Sequence, residues 1–209
     1  MHPFLLEAVI LKVMDIGEAD RFCILLTRER GRMAVRAKAV RKLQSRMGGT
    51  LLPLRHVRVH AKEWSGGFLV TSAVPVSESH ARDLGSFSQA EQGMELLLGL
   101  LEDGEPLPEV FDLTVELLAH RAVDRVVMLG FILRLLHLLG FLPESSNDHL
   151  FSGLSDAERT FVDHCRAGMT LSALSLDRPD LLERTAKILL ADQLRSPLKV
   201  PGVAAAIIR

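Results

Sequence analysis

Residues 31–38 read GRMAVRAK, and this stretch decides how the first third of the chain folds. Its cations, Arg32, Arg36 and Lys38, are separated by even numbers of residues, while apolar residues fill the odd positions from 33 to 37. Successive side chains of a β-strand point to opposite faces. The stretch therefore predicts a strand with one basic face and one apolar face.

The same alternation returns in residues 56–62, which read HVRVHAK. The basic positions are His56, Arg58, His60 and Lys62, with apolar residues between them. Two such strands predict a small barrel with a positive outer wall, which suits a polyanion such as nucleic acid. The alternative is an ordinary charged surface, because Lys and Arg side chains are usually exposed.

The distribution of charge supports a binding surface in the first part of the chain. Residues 28–46 contain eight Lys or Arg and a single acid, Glu29. Residues 1–80 have a net charge of +6 (13 Lys and Arg against 7 Asp and Glu), and residues 81–209 have −7 (12 against 19). Such an asymmetry is typical of a basic binding module joined to an acidic one.

Composition excludes several classes of protein. Hydrophobic residues make up 48% of the chain and charged residues 24%, which excludes a disordered protein. Cys23 and Cys165 are far apart, so we expect a reduced, cytoplasmic protein. The N-terminus lacks the basic start of a signal peptide. The most apolar stretch, residues 126–142, is interrupted by Arg134 and His137 and predicts a core helix, not a membrane span.

The first 75 residues predict β-structure. Turn residues separate five candidate strands, a pattern typical of a five-stranded Greek-key barrel of the OB type. In this barrel we expect Cys23 and Phe22 to face the core. We expect the loop of residues 39–49 to be too polar to contribute to the core. The predicted strands are Leu5–Val13, Arg21–Thr27, Arg32–Lys38, Leu51–Lys62 and Phe68–Val74.

Beyond Pro75 the apolar period lengthens to that of helices. Ser88 with Glu91 and Ser155 with Glu158 have the spacing of capping boxes at helix starts. The predicted helices cover residues 88–101, 109–120, 123–142 and 155–167, with a last one opening at Asp180. We therefore predict an α+β protein, with an OB-fold barrel in residues 1–77 and a helical domain in residues 78–209.

Catalytic and metal-binding motifs are missing from the sequence. There is no GxSxG, GxxxxGK[ST], GxGxxG or HExxH motif. His56 and His60 lack a third ligand and have basic neighbours, so we expect no metal there. A capping or loop-fixing role beside Arg21 is the better interpretation of Glu18 and Asp20 than a pair of catalytic carboxylates. We predict a protein that is not an enzyme and has no cofactor.

Nucleic-acid binding is the favoured function, because Lys and Arg neutralise phosphates without reading sequence. Base-stacking residues are few: the chain has no Tyr, and the candidates are Phe4, Trp64 and Phe68. We therefore expect contacts mainly to the nucleic-acid backbone. The candidate DNA-binding residues are Arg32, Arg36, Lys38, Arg41, Lys42, Arg46, Arg58 and Lys62.

Three cations of the helical half form a second candidate site. Arg121 and Arg125 are one helical turn apart, and Arg134 lies on the most apolar helix. They are either ordinary solvated or salt-bridged positions, or the cationic rim of an apolar groove. Such a groove would suit an acidic and hydrophobic peptide from a partner.

The N-terminal 75 residues also resemble the N-terminal domain of the RecO family of bacterial DNA repair proteins. The end of the chain, from Leu194 to Lys199, resembles the family's C-terminal ending. The matching segments keep the family's order: Ala8–Lys12, Gly17–Arg21, Leu26–Gly31, Ala37–Lys42, Ser45-Arg46, Gly49 and Leu52-Pro53.

This resemblance implies an OB-fold domain, a helical domain and a function as a recombination mediator. The implied partners are single- and double-stranded DNA, RecR, the acidic C-terminal tail of single-stranded DNA-binding protein (SSB), and also RecF and RecA. The implied activities are annealing of complementary strands and loading of RecA onto SSB-coated strands, in the bacterial cytoplasm at the nucleoid. The implied DNA contacts are Arg36, Lys38, Arg41, Lys42 and Arg46.

One departure from the family concerns zinc. Many members have a four-cysteine zinc site after the long central helix, whereas residues 144–156 contain no cysteine. We therefore expect no zinc in this chain. The alternative function from another class is a non-enzymatic OB-fold adaptor that binds RNA or protein.

Overall fold

The computed structural model describes residues 3–65, 67–77, 84–120, 122–144 and 149–194. Five strands precede five α-helices, which confirms the predicted α+β class. Residue contacts divide the described chain into two units. One comprises residues 3–77 with 101–115, and the other comprises residues 84–100 with 116–194.

The strands form a closed barrel in the order β1-β2-β3-β5-β4. Neighbouring strands are antiparallel, except that β3 and β5 are parallel. This is the OB-type barrel that the sequence predicts. The bounds are β1 (Phe4–Ile16), β2 (Asp20–Thr27), β3 (Gly31–Ala37), β4 (His56–Trp64) and β5 (Gly67–Ser77).

The barrel core is built from alternate residues of each strand, as a period of two requires. Cys23 and Leu25 face inward, which confirms the prediction that Cys23 is a core residue. The prediction that Phe22 faces the core is wrong: Phe22 is half-buried and pairs with Arg36 in the row that faces outward. The inward residues include Leu6, Ala8, Ile10, Met33, Val35, Ala37, Val57, Val59, Ala61 and Val70.

The loop between β3 and β4 differs from the prediction. β4 begins at His56 and not at Leu51, although Leu51 and Leu54 are buried. Leu54 has a φ of 63°, a left-handed conformation that breaks the strand. Val40 is also buried, so this loop contributes apolar side chains to the core despite its polar composition.

Residues 101–115 belong to the barrel unit, which the sequence did not predict. The Gly104 N–H donates to the carbonyl of Arg32 at 2.9 Å. Val9 and Leu26, which are in register with each other and with Arg32, are fully buried although their row faces away from the barrel core. The segment therefore packs on the outer side of the barrel along this row.

The helical unit is organised around α3. This helix is apolar on nearly all sides and packs against α1, α4 and α5, as a core helix does. Within the described residues, no helix is long and apolar enough to cross a membrane. The helices are α1 (Leu84–Leu100), α2 (Pro108–Ala119), α3 (Arg125–Leu138), α4 (Asp156–Arg166) and α5 (Asp180–Gln193).

The predicted helix starts are partly correct. Ser155 caps α4, and the reciprocal contact from Glu158 completes the predicted capping box. The prediction that Ser88 opens a helix is wrong, because α1 already begins at Leu84. α3 begins after Asp124, whose carboxylate accepts from the N–H groups of Val126 and Val127.

Gly31 provides a test of the packing of residues 101–115. Its φ is 64°, and a Cβ there would lie 1.8 Å from the carbonyl oxygen of Glu105. We expect Gly31→Ala to lower the free energy of unfolding by about 3 kcal/mol or more, because backbone must move. Gly17 also has a positive φ but has no atom within 4 Å of a Cβ. Gly17→Ala should cost only about 1 kcal/mol. Equal losses in urea unfolding would contradict this packing.

Candidate nucleic-acid interface

The basic wall, defined as Arg32, Arg36, Lys38, Arg58 and Lys62, follows the predicted alternation. The apolar residues between these cations on β3 and β4 are buried, and the cations lie on the outer face. β3 and β4 are not neighbours, because β5 lies between them. Arg36 pairs with Leu69 of β5, which pairs with Lys62 of β4. The two basic strands therefore share one outer face across a neutral strand.

One end of this wall is covered by residues 101–115. The guanidinium of Arg32 lies 2.6 Å from the carboxylate of Asp103. His56 was predicted to be on the outer basic face, but it is buried. Its ring lies edge-on to Phe111, and its Nε2 lies 2.8 Å from the carboxylate of Glu7. The covered part of the wall thus lies at the Arg32 end of β3, and the other end of β3 is exposed.

At that exposed end, Asp20 fixes the start of the loop that follows β3. Its carboxylate accepts from Arg36 at 2.7 and 3.0 Å and from the backbone N–H of Ala39 at 2.8 Å. Ala39 has a φ of 56°, so this bond stabilises a conformation that an L-residue rarely adopts. The Ala39 N–H and the Arg36 guanidinium hold the pKa of Asp20 below its ordinary value. The predicted loop-fixing role of Asp20 is confirmed.

A second acid, Asp15, holds the same loop from the end of β1. It accepts from Arg21 at 3.0 Å and lies 3.3 Å from Arg41. Arg21 also donates to the carbonyls of Gly48 and Leu51, at 2.9 and 3.2 Å. The β1–β2 turn and the β3–β4 loop are therefore tied together by several charged contacts.

Trp64 lies at the exposed end of the wall, beside two of its cations. The Lys38 ammonium is 4.4 Å from the centroid of the indole, and the Arg36 guanidinium is 5.9 Å from it. The side chain is 37% exposed. Phe4 and Phe68, the other predicted stacking residues, instead contact each other edge-on and pack against the barrel core. Trp64 is the predicted stacking residue that remains available.

The eight predicted DNA-binding residues fall into two groups. Arg32, Arg36 and Arg41 form ion pairs with carboxylates. The other five make no ion pair within the described residues, and four of them are exposed while Lys62 is half-buried. This second group consists of Lys38, Lys42, Arg46, Arg58 and Lys62.

The cations of the helical unit that were predicted to bind a partner protein either form ion pairs with carboxylates of this chain or lie outside the described residues. Arg125 donates to Glu183 and Asp180 at 2.8 to 3.0 Å, and these acids raise its pKa. Arg134 donates to Glu116 at 2.6 Å. The same Glu116 carboxylate accepts from the backbone N–H that begins the short helix Leu171–Ala173. Arg121 lies outside the described residues.

The described part of the chain has no cluster of three His, Cys, Asp or Glu side chains that could hold a metal ion. His56 and His60 do not act together, since His56 is buried and His60 is exposed. Burial raises the pKa of Cys23 to about 11 and that of Cys165 to about 12, which keeps both thiols protonated and unreactive.

Comparison with known proteins identifies the family. The family models "Recombination protein O N terminal" and "Recombination protein O C terminal" match residues 1–79 and 81–195. The chain belongs to the RecO family. The two RecO matches together cover most of the chain, so the resemblance found in the sequence is confirmed for both halves.

Several curated RecO relatives are named DNA repair protein RecO. The protein of Myxococcus xanthus is 32% identical over 168 residues, which are 78% of this chain and 68% of that protein. The Heliobacterium modesticaldum protein is 38% identical over 151 residues, with 70% and 55% covered. The Anaeromyxobacter dehalogenans protein is 33% identical over 147 residues, with 66% and 57% covered. The matched part thus spans between half and about two thirds of these RecO relatives.

The sequence did not point to every residue that shapes this RecO surface. Asp15 was not singled out, and Asp20 was expected to act beside Arg21 and not with Arg36. The available signal was the placement of both acids within six residues of the cation Arg21. A carboxylate so close to a cation is more often an ion-pair partner of a nearby cation than an isolated charge.

The lowered pKa of Asp20 predicts how pH affects the stability of the barrel. A carboxylate with a lowered folded-state pKa stabilises the fold above its unfolded pKa, here about 3.8, and loses this effect as pH falls through the folded value. We expect Asp20→Asn to be less stable than the wild type at pH 7. The difference in urea midpoint should begin to shrink as pH falls below about 3.8, and it should continue to shrink until Asp20 is protonated in the folded protein as well.

Asp15→Asn is the matched control for this experiment, because it removes a carboxylate of the same loop network while leaving Asp20 in place. A difference between wild type and Asp20→Asn that stays constant from pH 7 to pH 3 would contradict the assigned role.

Proposed function

We propose that this chain binds single- and double-stranded DNA through the exposed end of the basic wall, and that it acts in DNA repair as a recombination mediator and not as an enzyme. One observation carries the proposal: Lys38, which makes no ion pair within the described residues, lies 4.4 Å from the centroid of the exposed Trp64 ring and begins a segment with further cations. Membership in the RecO family supports the repair role, because its curated relatives are named DNA repair proteins.

The basic loop, defined as residues 38–50, supplies most of the proposed phosphate contacts. It contains four cations, Lys38, Arg41, Lys42 and Arg46, and no acid. Cations that bind phosphates release condensed counterions, which gives affinity for any sequence. Arg41 is engaged by Asp15, so Lys38, Lys42 and Arg46 are the cations of the loop that can meet phosphates without breaking an ion pair.

Trp64 gives this surface a means of preferring unpaired bases. An exposed indole stacks on the face of any base, and that face is accessible in a single strand but not inside a duplex. Lys38 lies near enough to the same ring to contact the phosphate that flanks a stacked base. The proposed site therefore combines one stacking position with several phosphate contacts.

The finer parts of the proposed function follow from the same surface and from the family. A surface that neutralises phosphates reduces the repulsion between two complementary strands, which favours their annealing. We propose strand annealing, assistance in loading RecA onto SSB-coated DNA, and cooperation with RecR and RecF, in the bacterial cytoplasm at the nucleoid.

Binding of the acidic SSB tail to the helical unit is also part of the proposal. Arg125 and Arg134 are the described cations considered for it, and both already form ion pairs. A tail carboxylate would have to displace Glu183 from Arg125 or Glu116 from Arg134. Arg125 is the better candidate, because its ion pairs are on the surface and such pairs contribute little to stability.

The salt dependence of binding tests the role of the basic loop. We expect Lys42→Ala with Arg46→Ala to weaken binding to single strands of any sequence. The log–log dependence of affinity on salt should become shallower by about 1.4 units, at about 0.7 per lost phosphate contact. Titrations of a labelled oligonucleotide by fluorescence anisotropy at several salt concentrations measure this slope.

The matched control is Arg178→Ala with Arg184→Ala, which removes the same charge from exposed positions of the helical unit. An equal change of slope in both double variants would mean that only net charge matters, and an unchanged slope in the first would place the DNA elsewhere.

Trp64 tests the stacking contact directly, because the chain has one Trp and no Tyr. We expect single-stranded DNA to quench the Trp64 emission, and duplex DNA to quench it much less. Trp64→Ala should weaken single-strand binding by about tenfold, and Trp64→Phe by less, since a phenyl ring still stacks.

Emission that does not change while DNA binds would rule out stacking at Trp64. Matched titrations with RNA and DNA test the alternative function. Quenching of the Trp64 emission by RNA alone would indicate an OB-fold adaptor for RNA, and binding to neither nucleic acid would indicate an adaptor for protein.

A further inference from the structure

Leu43 is the most exposed large apolar side chain in the described part of the chain. Its exposure is 106% of the reference value, so no neighbouring side chain covers it. It lies in the basic loop, directly after Lys42 and three residues before Arg46. A single exposed leucine is common on protein surfaces and by itself needs no explanation. Leu43 differs from an ordinary exposed leucine because of the way the surrounding loop is built.

The loop holds Leu43 outward in a fixed conformation. The Ser45 N–H donates to the carbonyl of Lys42 at 2.8 Å, which closes a turn with Leu43 at its second position. On either side of the turn, Val40 and Leu51 are buried in the barrel core. A Cβ on Gly48 would lie 2.8 Å from the carbonyl oxygen of Val40, so the two arms of the loop touch.

The β1–β2 turn braces the same loop from outside. The Arg41 N–H donates to the carbonyl of Ala19 at 2.9 Å, and the Arg41 side chain donates to the carbonyl of Gly17 at 2.9 Å. The loop that carries Leu43 is therefore anchored at both of its ends. An anchored turn loses little conformational entropy when its tip inserts into a ligand.

The charges around Leu43 indicate the chemistry of that ligand. The basic loop has four cations and no acid, so the ligand is anionic. The ligand must also offer an apolar slot within a few ångströms of its charges. Adjacent bases of a nucleic acid meet both requirements, because phosphates flank every gap between base faces. An anionic membrane is the weaker fit, since one leucine buries too little apolar surface for stable anchoring.

We propose that Leu43 is a wedge that inserts between adjacent bases of bound DNA and unstacks them. Lys42 and Arg46 hold the flanking phosphates while the leucine enters. The wedge rests on the proposed DNA binding and adds a mechanical step to it, because it opens the base stack of the bound strand. Unstacked bases are free to pair with a second strand.

The emission of 2-aminopurine tests the wedge, because this base analogue is quenched when stacked and brightens when its neighbours separate. The probe is a single-stranded oligonucleotide with one 2-aminopurine between adenines. We expect the wild-type protein to raise its emission and Leu43→Ala to lose most of that rise. The affinity of Leu43→Ala should fall by about threefold to tenfold, as the loss of three partly buried carbons predicts.

Two further variants sharpen the test. Leu43→Phe should raise the emission at least as much as the wild type, since a ring is also an effective wedge. Leu5→Ala is the matched control, because Leu5 is an exposed leucine (49%) on the barrel outside the basic loop. It should leave both emission and affinity unchanged.

The outcomes separate the wedge from the proposed function. A wild-type protein that binds DNA without raising the emission, or a Leu43→Ala variant that behaves like the wild type, would overturn the wedge and leave DNA binding intact. A wild-type protein that does not bind the oligonucleotide would overturn DNA binding itself. Leu43-dependent binding to vesicles of phosphatidylserine and phosphatidylcholine, with no effect of Leu43→Ala on DNA, would assign the tip to membranes and overturn the wedge.

Discussion

The contacts of Asp20 are the constraint on which the candidate interface depends. One carboxylate oxygen accepts from the guanidinium of Arg36, and the other accepts from the N–H of Ala39. The first contact neutralises a cation of the wall, and the second holds Ala39 in a left-handed conformation. Because the chain turns there, Lys42 and Arg46 project from a loop and not from a continued strand. Asp20 thus neutralises one cation of the wall, and the same carboxylate fixes the turn that positions the cations of the loop.

The covering of the wall by residues 101–115 explains why charge alone overstates the binding surface. The sequence marks eight cations, but Arg32 is paired with Asp103 where this segment packs. Gly31 allows the approach, since any side chain at this position would collide with the backbone of Glu105. The segment therefore makes one end of the wall structural, and leaves the end with Lys38 and Trp64 accessible to a ligand.

The sequence predicted those features that follow from local periodicity, and it missed those that depend on distant contacts. Alternation along β3 and β4 is a property of the strand itself, so the barrel, its inner face and its outer cations could be predicted. The capping box at Ser155 is equally local. The late start of β4 depends on the left-handed conformation of Leu54, and apolar residues before it looked like strand. The outward position of Phe22 follows from the same alternation once Cys23 faces inward, whereas the burial of His56 depends on Phe111, which no local pattern records.

On the proposed function, lysines and arginines of this surface have different tasks. The arginines Arg21 and Arg41 each contact more than one group of the protein, as the forked guanidinium allows, and they hold the loop in place. Arg36 donates twice to Asp20, which in turn holds Ala39. Lys38 and Lys42 make no ion pair within the described residues, so a phosphate can approach them without displacing a carboxylate. Affinity then comes from charges that read no sequence, while Trp64 and Leu43 both act on base faces. Because every base presents such a face, the same surface can engage any strand, which is what a protein that brings arbitrary complementary strands together requires.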